Sequence, residues 1–137
     1  MKTIKLEVIT PSKHAFEGIV TSVTVPGSMG GFQVLYNHAP ILSSLDVGIV
    51  SIKESNGNEM KFATGGGTVE VLNNHILLLV ESFESPSEID IQRAEKSMDR
   101  AKKRLSKDSN EEKVDMARAE VSLKRAINRL KLAGKTV

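Results

Sequence analysis

Apolar and polar residues alternate through the first part of the chain, and this period of two predicts a series of short β-strands. The first strand is expected at Ile4–Ile9 and the last at His75–Val80, whose unbroken apolar run favours burial on both faces. Many short strands favour a flattened barrel or a sandwich. Further strands are predicted around residues 23–25, 32–35, 48–53, 60–62 and 69–71, with turns at residues 11–13, 26–31, 55–58, 65–67 and 73–74.

After Ile89 the period changes from two to seven, and apolar or small residues recur three and four positions apart. Such spacing draws a stripe along an amphipathic helix, and the chain has two successive stripes. The segment between them, residues 106–110, is short and polar, so the two helices either fold back as an antiparallel hairpin or splay apart. The stripes are Ile91, Ala94, Met98, Ala101 and Leu105, then Met116, Ala119, Leu123, Ala126 and Leu130.

The predicted fold class is therefore α+β, with a β-sandwich or flattened barrel over residues 1–86 and an antiparallel two-helix hairpin over residues 87–137. Both helix starts carry capping signals, because Ser87 is followed three residues later by Asp90, and Ser109 by Glu112. Gly134 is expected to end the second helix.

Charge divides the chain at the same place. Residues 1–87 carry five basic and eight acidic residues, a net charge of −3, whereas residues 88–137 carry fourteen basic and nine acidic residues, a net charge of +5. All six arginines belong to the second group. The helical half is thus a basic arm that should prefer an anionic partner, which could be nucleic acid, an acidic protein surface or nucleotide phosphate.

Motifs for catalysis or metal binding are missing from the sequence. The glycine-rich stretches lack the Gly-Lys-Ser/Thr of a phosphate loop and are better explained as turns. His14, His38 and His75 stand on separate segments without a second ligand at metal-binding spacing. No serine has an evident base and no acidic pair stands out, so an enzyme is the least favoured class.

Cysteine is absent, which fits a reducing compartment, and no apolar run approaches the ~20 residues of a membrane-spanning helix. The N-terminus passes directly into the first predicted strand, without the apolar core of a signal peptide. We therefore expect a soluble, cytoplasmic protein.

Several short motifs, spread over essentially the full chain, make the sequence resemble the ε subunit of the rotary F-type ATP synthase. Two positions depart from the family pattern, since Gln33 stands where the family usually has Gly and Tyr36 where it usually has Pro. The matching motifs are Pro26-Gly27, Gly31-Phe32, Val34-Leu35, Asn37-His38-Ala39-Pro40, Asp46-Val47-Gly48, Gly65-Gly66, Val69-Glu70-Val71, Ile89-Asp90, Arg93-Ala94 and Arg125-Ala126-Ile127-Asn128-Arg129-Leu130.

The resemblance implies a non-catalytic rotor subunit at the cytoplasmic face of the membrane. Its β-sandwich would dock on the γ subunit and the c-ring as part of the central stalk. Its hairpin would either fold on the sandwich or extend along γ into the catalytic α/β head, where it inhibits ATP hydrolysis. Our candidates for contacting acidic surface on the head are Arg118, Lys124, Arg125 and Arg129.

In some bacterial members of this family the folded hairpin binds ATP as a regulatory ligand, and no cofactor is required. An alternative is that the arginines pair with Asp90, Glu95, Asp99 and Asp115 as a solvated surface. Arginine suits phosphate because its guanidinium makes bidentate contacts. The positions that match the family's ATP-binding element are Glu84, Asp90, Arg93, Ala94, Arg100, Arg125 and Arg129.

The two helices also resemble each other at a constant offset. At 100° per residue, Arg93, Arg100 and Arg104 lie on one flank of the first stripe. Because Arg118, Arg125 and Arg129 lie on the equivalent flank of the second, an antiparallel hairpin places all six guanidiniums on one face. The stripes are rich in alanine, which buries little area at ~25 cal/mol per Å², so the helices should dock weakly and can switch between two states.

A free-standing nucleic-acid-binding module is the alternative function. It would use the same basic hairpin, and its affinity would fall steeply with salt. Residues 88–137 contain no aromatic side chain to stack on bases, which counts against it.

Overall fold

In the computed structural model, which describes residues 2–106 and 113–135, the chain forms two compact units, Met1–Ser85 and Pro86–Val137. Eight strands make up the first unit, and a short 3₁₀ turn at Pro86–Glu88 and two helices belong to the second. This confirms the predicted α+β class. The strands are β1 Ile4–Ile9, β2 His14–Val20, β3 Ser22–Val25, β4 Phe32–Val34, β5 Ile41–Lys53, β6 Glu59–Leu72, β7 His75–Val80 and β8 Phe83–Glu84, and the helices are α1 Ile91–Ser106 and α2 Lys113–Leu132.

The strands of the first unit form one sheet in the order β2-β1-β7-β6-β5-β3-β4, with β8 paired to β6. All pairs are antiparallel except β1 with β7. Side chains from both ends of this order belong to a single apolar core, so the sheet folds over on itself into two layers. Fully buried members of the core are Ile4, Leu6, Val8, Val20, Val23, Val25, Val34, Val50, Ile52, Val69, Ile76 and Leu78.

The turn predicted at residues 65–67 is wrong, because the glycines lie inside β6 and join two predicted strands into one. Before them Ala63 and Thr64 pair with β8, and after them β6 pairs with β7. Gly66 and Gly67 have φ of +93° and +155°, which side-chain-bearing residues rarely adopt. A Cβ on Gly67 would lie 2.0 Å from the Leu79 carbonyl oxygen. Glycine is therefore needed where the strand changes partner, and the chain does not reverse there.

Strand β7 has the predicted bounds, but it is buried on one face only. Its side chains alternate, and Leu79 is 47% exposed while Leu78 is fully buried. Strand β2 was not predicted. It is an edge strand with a mixed burial pattern, and its pairing with β1 shifts between Val8 and Ile9. An edge strand with few buried positions carries a weak alternation signal.

Two left-handed asparagine turns meet at one end of the sheet. Asn73 and Asn74, both with positive φ, join β6 to β7 in a tight hairpin. A second turn is closed by the His38 N–H donating to the Leu35 carbonyl at 3.1 Å. Its third residue, Asn37, has φ +61° and its N–H donates to Asn74 Oδ1 at 2.6 Å. Tyr36 occupies the second position, where proline is common, and the turn forms without it.

Helix α1 begins after Asp90, whose Oδ1 accepts a hydrogen bond from the Arg93 N–H at 3.0 Å. Asp90 is therefore the N-cap, and the predicted box with Ser87 as the cap is wrong because Ser87 lies in the preceding 3₁₀ turn. The predicted box at Ser109 and Glu112 lies outside the described residues.

Helix α2 ends at Leu132, and Gly134, which has φ +82°, terminates it as predicted. The Gly134 N–H donates to the Lys131 carbonyl at 3.0 Å, and the Lys135 N–H donates to the Leu130 carbonyl at 2.8 Å. These two bonds are those of a Schellman cap, which satisfies carbonyls left free by the last turn.

Helices α1 and α2 pack against each other along the small residues of their stripes. Ala101, in the second half of α1, and Ala119, in the first half of α2, line one groove between the helices. The end of α1 thus lies beside the beginning of α2, as in an antiparallel hairpin. The buried residues of the two described helices are Ala94, Ala101, Ala119, Ala126 and Leu130.

A cluster of charged and imidazole side chains covers part of the outer face of the sheet. Lys5 Nζ lies 3.5 Å from both Glu7 Oε1 and Glu17 Oε1, and His75 Nε2 lies 3.1 Å from Glu7 Oε1. His14 Nε2 lies 3.6 Å from Glu7 Oε2. Partial burial raises the pKa of Glu7, but Lys5 and the two histidines outweigh burial, so this pKa lies below its usual value. Hydrogen bonds to the two carboxylates raise the pKa of Lys5.

Candidate functional site

A groove of about 500 Å³ runs along one face of α1 from its N-terminus. Because α1 turns once every 3.6 residues, Arg93, Lys96, Arg100 and Lys103 fall on this one side. Their spacing of three and four brings four cations together. The residues that line the groove are Asp90, Gln92, Arg93, Lys96, Asp99, Arg100 and Lys103.

The electrostatics of this α1 groove favour an anion, since its four cations exceed the carboxylates of Asp90 and Asp99. Asp90 already accepts the Arg93 N–H as the helix cap. Arg93 and Arg100 are exposed, and Arg100 Nη2 donates to Ser97 Oγ at 3.3 Å. A guanidinium held this way can present its remaining N–H groups to phosphate oxygens.

The alternative prediction, that the arginines pair with nearby carboxylates, can be checked for Arg93 and Arg100. In the described part of the chain, neither Arg93 nor Arg100 forms an ion pair with Glu95 or Asp99. The side chain of Asp115 lies outside the described residues. The two arginines are therefore not neutralised by these two carboxylates.

The other residues of the predicted nucleotide site do not line the α1 groove. Ala94 is buried, and its N–H donates to the Asp90 carbonyl at 3.0 Å as the first helical hydrogen bond. Arg125 and Arg129 are partly buried on α2 and line neither the α1 groove nor the groove between the helices. Glu84 lies in β8, in the sheet unit, where it pairs with Ala63 of β6. Of the predicted set, the α1 groove brings together Asp90, Arg93 and Arg100.

The residues proposed to contact the catalytic head differ in exposure. Arg118 and Lys124 are exposed on α2, whereas Arg125 and Arg129 are partly buried. In this conformation only the first two present most of their side chain to a partner.

Four residues of the α1 groove, Gln92, Lys96, Asp99 and Lys103, are absent from the predicted nucleotide site, and Asp99 was considered only as an ion-pair partner of the arginines. Lys96 and Lys103 repeat the spacing of Arg93 and Arg100 on the same helix face. Extending that spacing along the helix would have found both lysines. Gln92 and Asp99 are ordinary polar surface residues with no pattern to mark them.

Residues 2–106 and 113–135 contain no group of three His, Cys, Asp or Glu side chains placed to hold a metal ion. None of their helices is long and apolar enough to cross a membrane.

Family models match both units of the chain. The beta-sandwich domain of the ATP synthase delta/epsilon chain matches residues 3–86, and its long alpha-helix domain matches residues 87–134. The ATP synthase epsilon chain of Pelotomaculum thermopropionicum is 41% identical over 106 residues, which cover 77% of this chain and 78% of that protein. That of Trichlorobacter lovleyi is 39% identical over 132 residues, covering 96% and 94%.

Solved structures share the fold at low sequence identity. A chain of the Euglena gracilis mitochondrial ATP synthase, OSCP/F1/c-ring in rotational state 1, has a TM-score of 0.82 at 18% identity, covering 97% of this chain and 82% of that chain. A chain of the Tetrahymena thermophila mitochondrial ATP synthase central stalk/c-ring has a TM-score of 0.64 at 14% identity, covering 97% of both chains. The family models and the curated relatives identify the family, and the protein therefore belongs to the ATP synthase delta/epsilon chain family, among the bacterial F-type epsilon chains.

Proposed function

We propose that this protein is a non-catalytic rotor subunit that couples the catalytic head of the ATP synthase to the c-ring. The proposal places it in the central stalk, bound to the γ subunit at the cytoplasmic face of the cell membrane. Family membership supports this, as does the fold shared with chains of central-stalk and c-ring assemblies. The sheet unit would be the docking half, because it carries the large apolar core that holds a surface in a fixed shape.

Exposed apolar side chains at one end of the sheet are consistent with docking. Leu35 and Tyr36, in one asparagine turn, are 52% and 40% exposed, and Leu72, at the other turn, is 48% exposed. The hydrogen bond from the Asn37 N–H to Asn74 Oδ1 brings these turns together. Apolar side chains grouped at a surface often mark a protein interface.

The helical unit would be an ATP-sensing inhibitory element. The observation that carries this part is the α1 groove, which holds Asp90, Arg93 and Arg100 in a surplus of positive charge. Triphosphate oxygens fit such cations. ATP bound to the closed hairpin alone would stabilise it by about 2.7 kcal/mol at a free concentration of about 100 times Kd, a shift of about a hundredfold.

Inhibition would come from the open hairpin. Arg118 and Lys124 are exposed on α2 and could contact acidic surface on the α/β head without rearrangement of their side chains. Opening would expose more of Arg125 and Arg129 for the same surface. ATP would thus stabilise the closed hairpin, and the catalytic head would stabilise the open one.

An ATP titration of the full chain tests the nucleotide site. We expect calorimetric binding and a decrease in the radius of gyration, with both effects lost in Arg93→Gln. Lys102→Gln is the matched control, because Lys102 is an exposed cation of α1 that lines neither groove. Equal loss in both variants, or no binding at millimolar ATP, would remove the nucleotide proposal and leave Asp90 as a helix cap alone.

Truncation of the chain within the assembled enzyme tests inhibition. A complex whose subunit lacks residues 88–137 should assemble, because the sheet unit has its own core, and should hydrolyse ATP faster than the complete complex. Unchanged hydrolysis in a fully assembled complex would contradict the inhibitory role and leave the rotor role intact.

A further inference from the structure

Two turns at one end of the sheet are tied together by a pair of asparagine side chains. The Asn37 N–H donates to Asn74 Oδ1 at 2.6 Å, and Asn74 Nδ2 donates to Asn37 Oδ1 at 3.2 Å. The two residues are 37 positions apart in the sequence. These two hydrogen bonds therefore form an asparagine clasp between the turn at residues 35–38 and the hairpin that joins β6 to β7.

The backbone conformation at both residues suits the asparagine clasp. Asn37 has φ +61° and Asn74 has φ +59°, a left-handed conformation that asparagine adopts more readily than most residues. The second position of the first turn is Tyr36, which does not fix φ as a proline would. The His38 N–H closes this turn on the Leu35 carbonyl at 3.1 Å, but that bond does not join the turn to the hairpin. The clasp supplies this connection.

Exposed apolar side chains lie on both sides of the asparagine clasp. Leu35 and Tyr36 belong to the first turn, and Leu72 directly precedes the hairpin. Leu42 of β5 is 74% exposed and pairs with Glu70, which stands two residues before Leu72 on β6. The two leucines are therefore diagonal neighbours on the outer face of the sheet. The apolar end surface consists of Leu35, Tyr36, Leu42 and Leu72.

The chemistry of the apolar end surface matches an apolar surface on another protein. Its side chains are three leucines and one tyrosine, and the centres of protein interfaces are depleted in charged residues and enriched in tyrosine. Cytoplasmic loops of membrane proteins carry an excess of Lys and Arg, so a surface for the c-ring should present carboxylates at its centre. Glu70 is exposed at the border instead, where it can pair with a basic residue at the rim of a partner. The γ subunit is therefore the partner that this surface fits.

We propose that the asparagine clasp positions the apolar end surface for docking on the γ subunit. Asn37 and Asn74 are positioning residues in this proposal, because they act through the apolar side chains beside them. They fix the turn against the hairpin, so the apolar side chains are held in one arrangement before binding, and association requires less ordering. The inference rests on the proposed function, which includes docking on γ.

Amide hydrogen exchange of the full chain tests the asparagine clasp itself. Asn74→Gly permits the left-handed backbone but removes both hydrogen bonds, so exchange of the Asn37 amide should rise about tenfold. Asn74→Asp keeps an Oδ acceptor for the Asn37 N–H and should preserve most of the protection. Asn73→Gly is the matched control, because Asn73 also has a positive φ, of +50°, in the same hairpin but takes no part in the clasp. It should change the exchange of the Asn37 amide less than about twofold.

Titration of the full chain into a catalytic head that has γ but lacks this subunit tests docking. Asn74→Gly and Leu42→Ala should each weaken binding about tenfold, the first through loss of order and the second through loss of contact. Asn73→Gly controls for added glycine, and Leu79→Ala controls for truncation of an exposed leucine outside the apolar end surface. Both controls should bind within about twofold of the wild type. Denaturant unfolding followed by Tyr36 fluorescence checks that each variant is folded.

Different results would overturn the clasp and the proposed function. If Asn74→Gly leaves the exchange of the Asn37 amide unchanged, the clasp does not hold the turn, whereas binding of the wild type to the head would still support docking. Raised exchange with unchanged affinity, or equal weakening in Asn73→Gly, would overturn the positioning role. Binding that requires the c-ring would overturn γ as the partner of this surface. If the wild type binds neither the head nor the complex with the c-ring, the proposed docking function itself is wrong.

Discussion

The two units of this protein differ in what fills their interiors. The sheet unit buries branched and aromatic side chains from both of its layers, whereas alanine makes up four of the five buried residues on the described helices. Apolar burial contributes ~25 cal/mol per Å², so each large side chain of the sheet stabilises its unit several times more than an alanine. The sheet unit therefore gains more stability from each buried residue than the pair of helices does.

Hydrogen bonding adds to the difference between the sheet unit and the helices. Every strand pair of the sheet is joined by backbone hydrogen bonds, and the parallel pair joins residues as distant in sequence as Lys5 and His75. A helix satisfies its backbone internally, so parting α1 from α2 breaks no ladder. The backbone hydrogen bonds therefore tie the layers of the sheet unit together but do not tie one helix to the other.

Truncating a core side chain of the sheet should have the largest effect. Leu78→Ala removes a fully buried side chain of β7 and should lower the free energy of unfolding by about 2–5 kcal/mol. Leu79→Ala, one residue further on and half-exposed, should cost far less. Tyr36, the one tyrosine in a protein without tryptophan, reports denaturant unfolding of this unit by its fluorescence. Equal losses would show that β7 is buried on both faces after all.

Adding one methyl group at the β6 bend should have the next largest effect. Gly67→Ala would place a Cβ 2.0 Å from the Leu79 carbonyl oxygen at φ +155°, so β6 and β7 must part locally, at a cost of about 1–3 kcal/mol. Gly57→Ala also requires a positive φ, of +86°, but meets no atom within 4 Å. The Tyr36 unfolding curves should separate the two variants, and coincident curves would mean that backbone conformation alone sets the cost.

The same glycines explain what the sequence could and could not predict about the fold. The alternation at Ile4–Ile9 and the helical stripes follow from local period, and the bounds of β1 and β7 were predicted correctly. A glycine run has no local signal that separates a chain reversal from a strand bend. The neighbour that decides it, the Leu79 backbone, lies on another strand. Edge strand β2 was missed for a related reason. Its position at the edge of the sheet depends on its pairing with β1, and an edge strand with few buried residues shows little alternation of apolar and polar residues.

Removing the cap of α1 should have a smaller effect, confined to the helical unit. Asp90→Ala deletes the acceptor of the Arg93 N–H and should cost about 1 kcal/mol of helix stability. Asp90→Asn keeps a capping side chain without the charge, and Asp99→Ala removes a charge from the exposed middle of α1. Amide hydrogen exchange of α1 should therefore rise in Asp90→Ala alone. A rise in Asp99→Ala as well would point to charge instead of capping.

The candidate site could be predicted only where one helix supplies it. Asp90, Arg93 and Arg100 share a face of α1, and helical spacing alone places them together. Arg125 and Arg129 belong to α2, and their distance from that face depends on how the helices pack, which spacing does not fix. The family resemblance is confirmed by the family models, but the role of each residue in nucleotide binding stays a prediction.

The smallest expected effect is the pH dependence of the stability of the sheet unit, which arises from the charged cluster around Glu7 on the outer face of the sheet. It would show that charge makes a small contribution to the stability of this unit. Because the folded protein lowers the pKa of Glu7, the ionised carboxylate stabilises the fold above its unfolded pKa of about 4.3. This contribution is lost as the pH falls through the lower folded pKa.

Glu7→Gln should therefore be less stable than the wild type near neutral pH, and the difference should vanish in acid. Glu59→Gln, an exposed carboxyl at the start of β6, should show little difference at either pH. The Glu7 effect should shrink with salt, because its partner Lys5 is about half-exposed. It should appear in Tyr36 fluorescence and not in helix amide exchange. A difference that persists in acid would mean that the substituted amide destabilises the sheet through its packing, and charge would then have no measurable part in the stability of this unit.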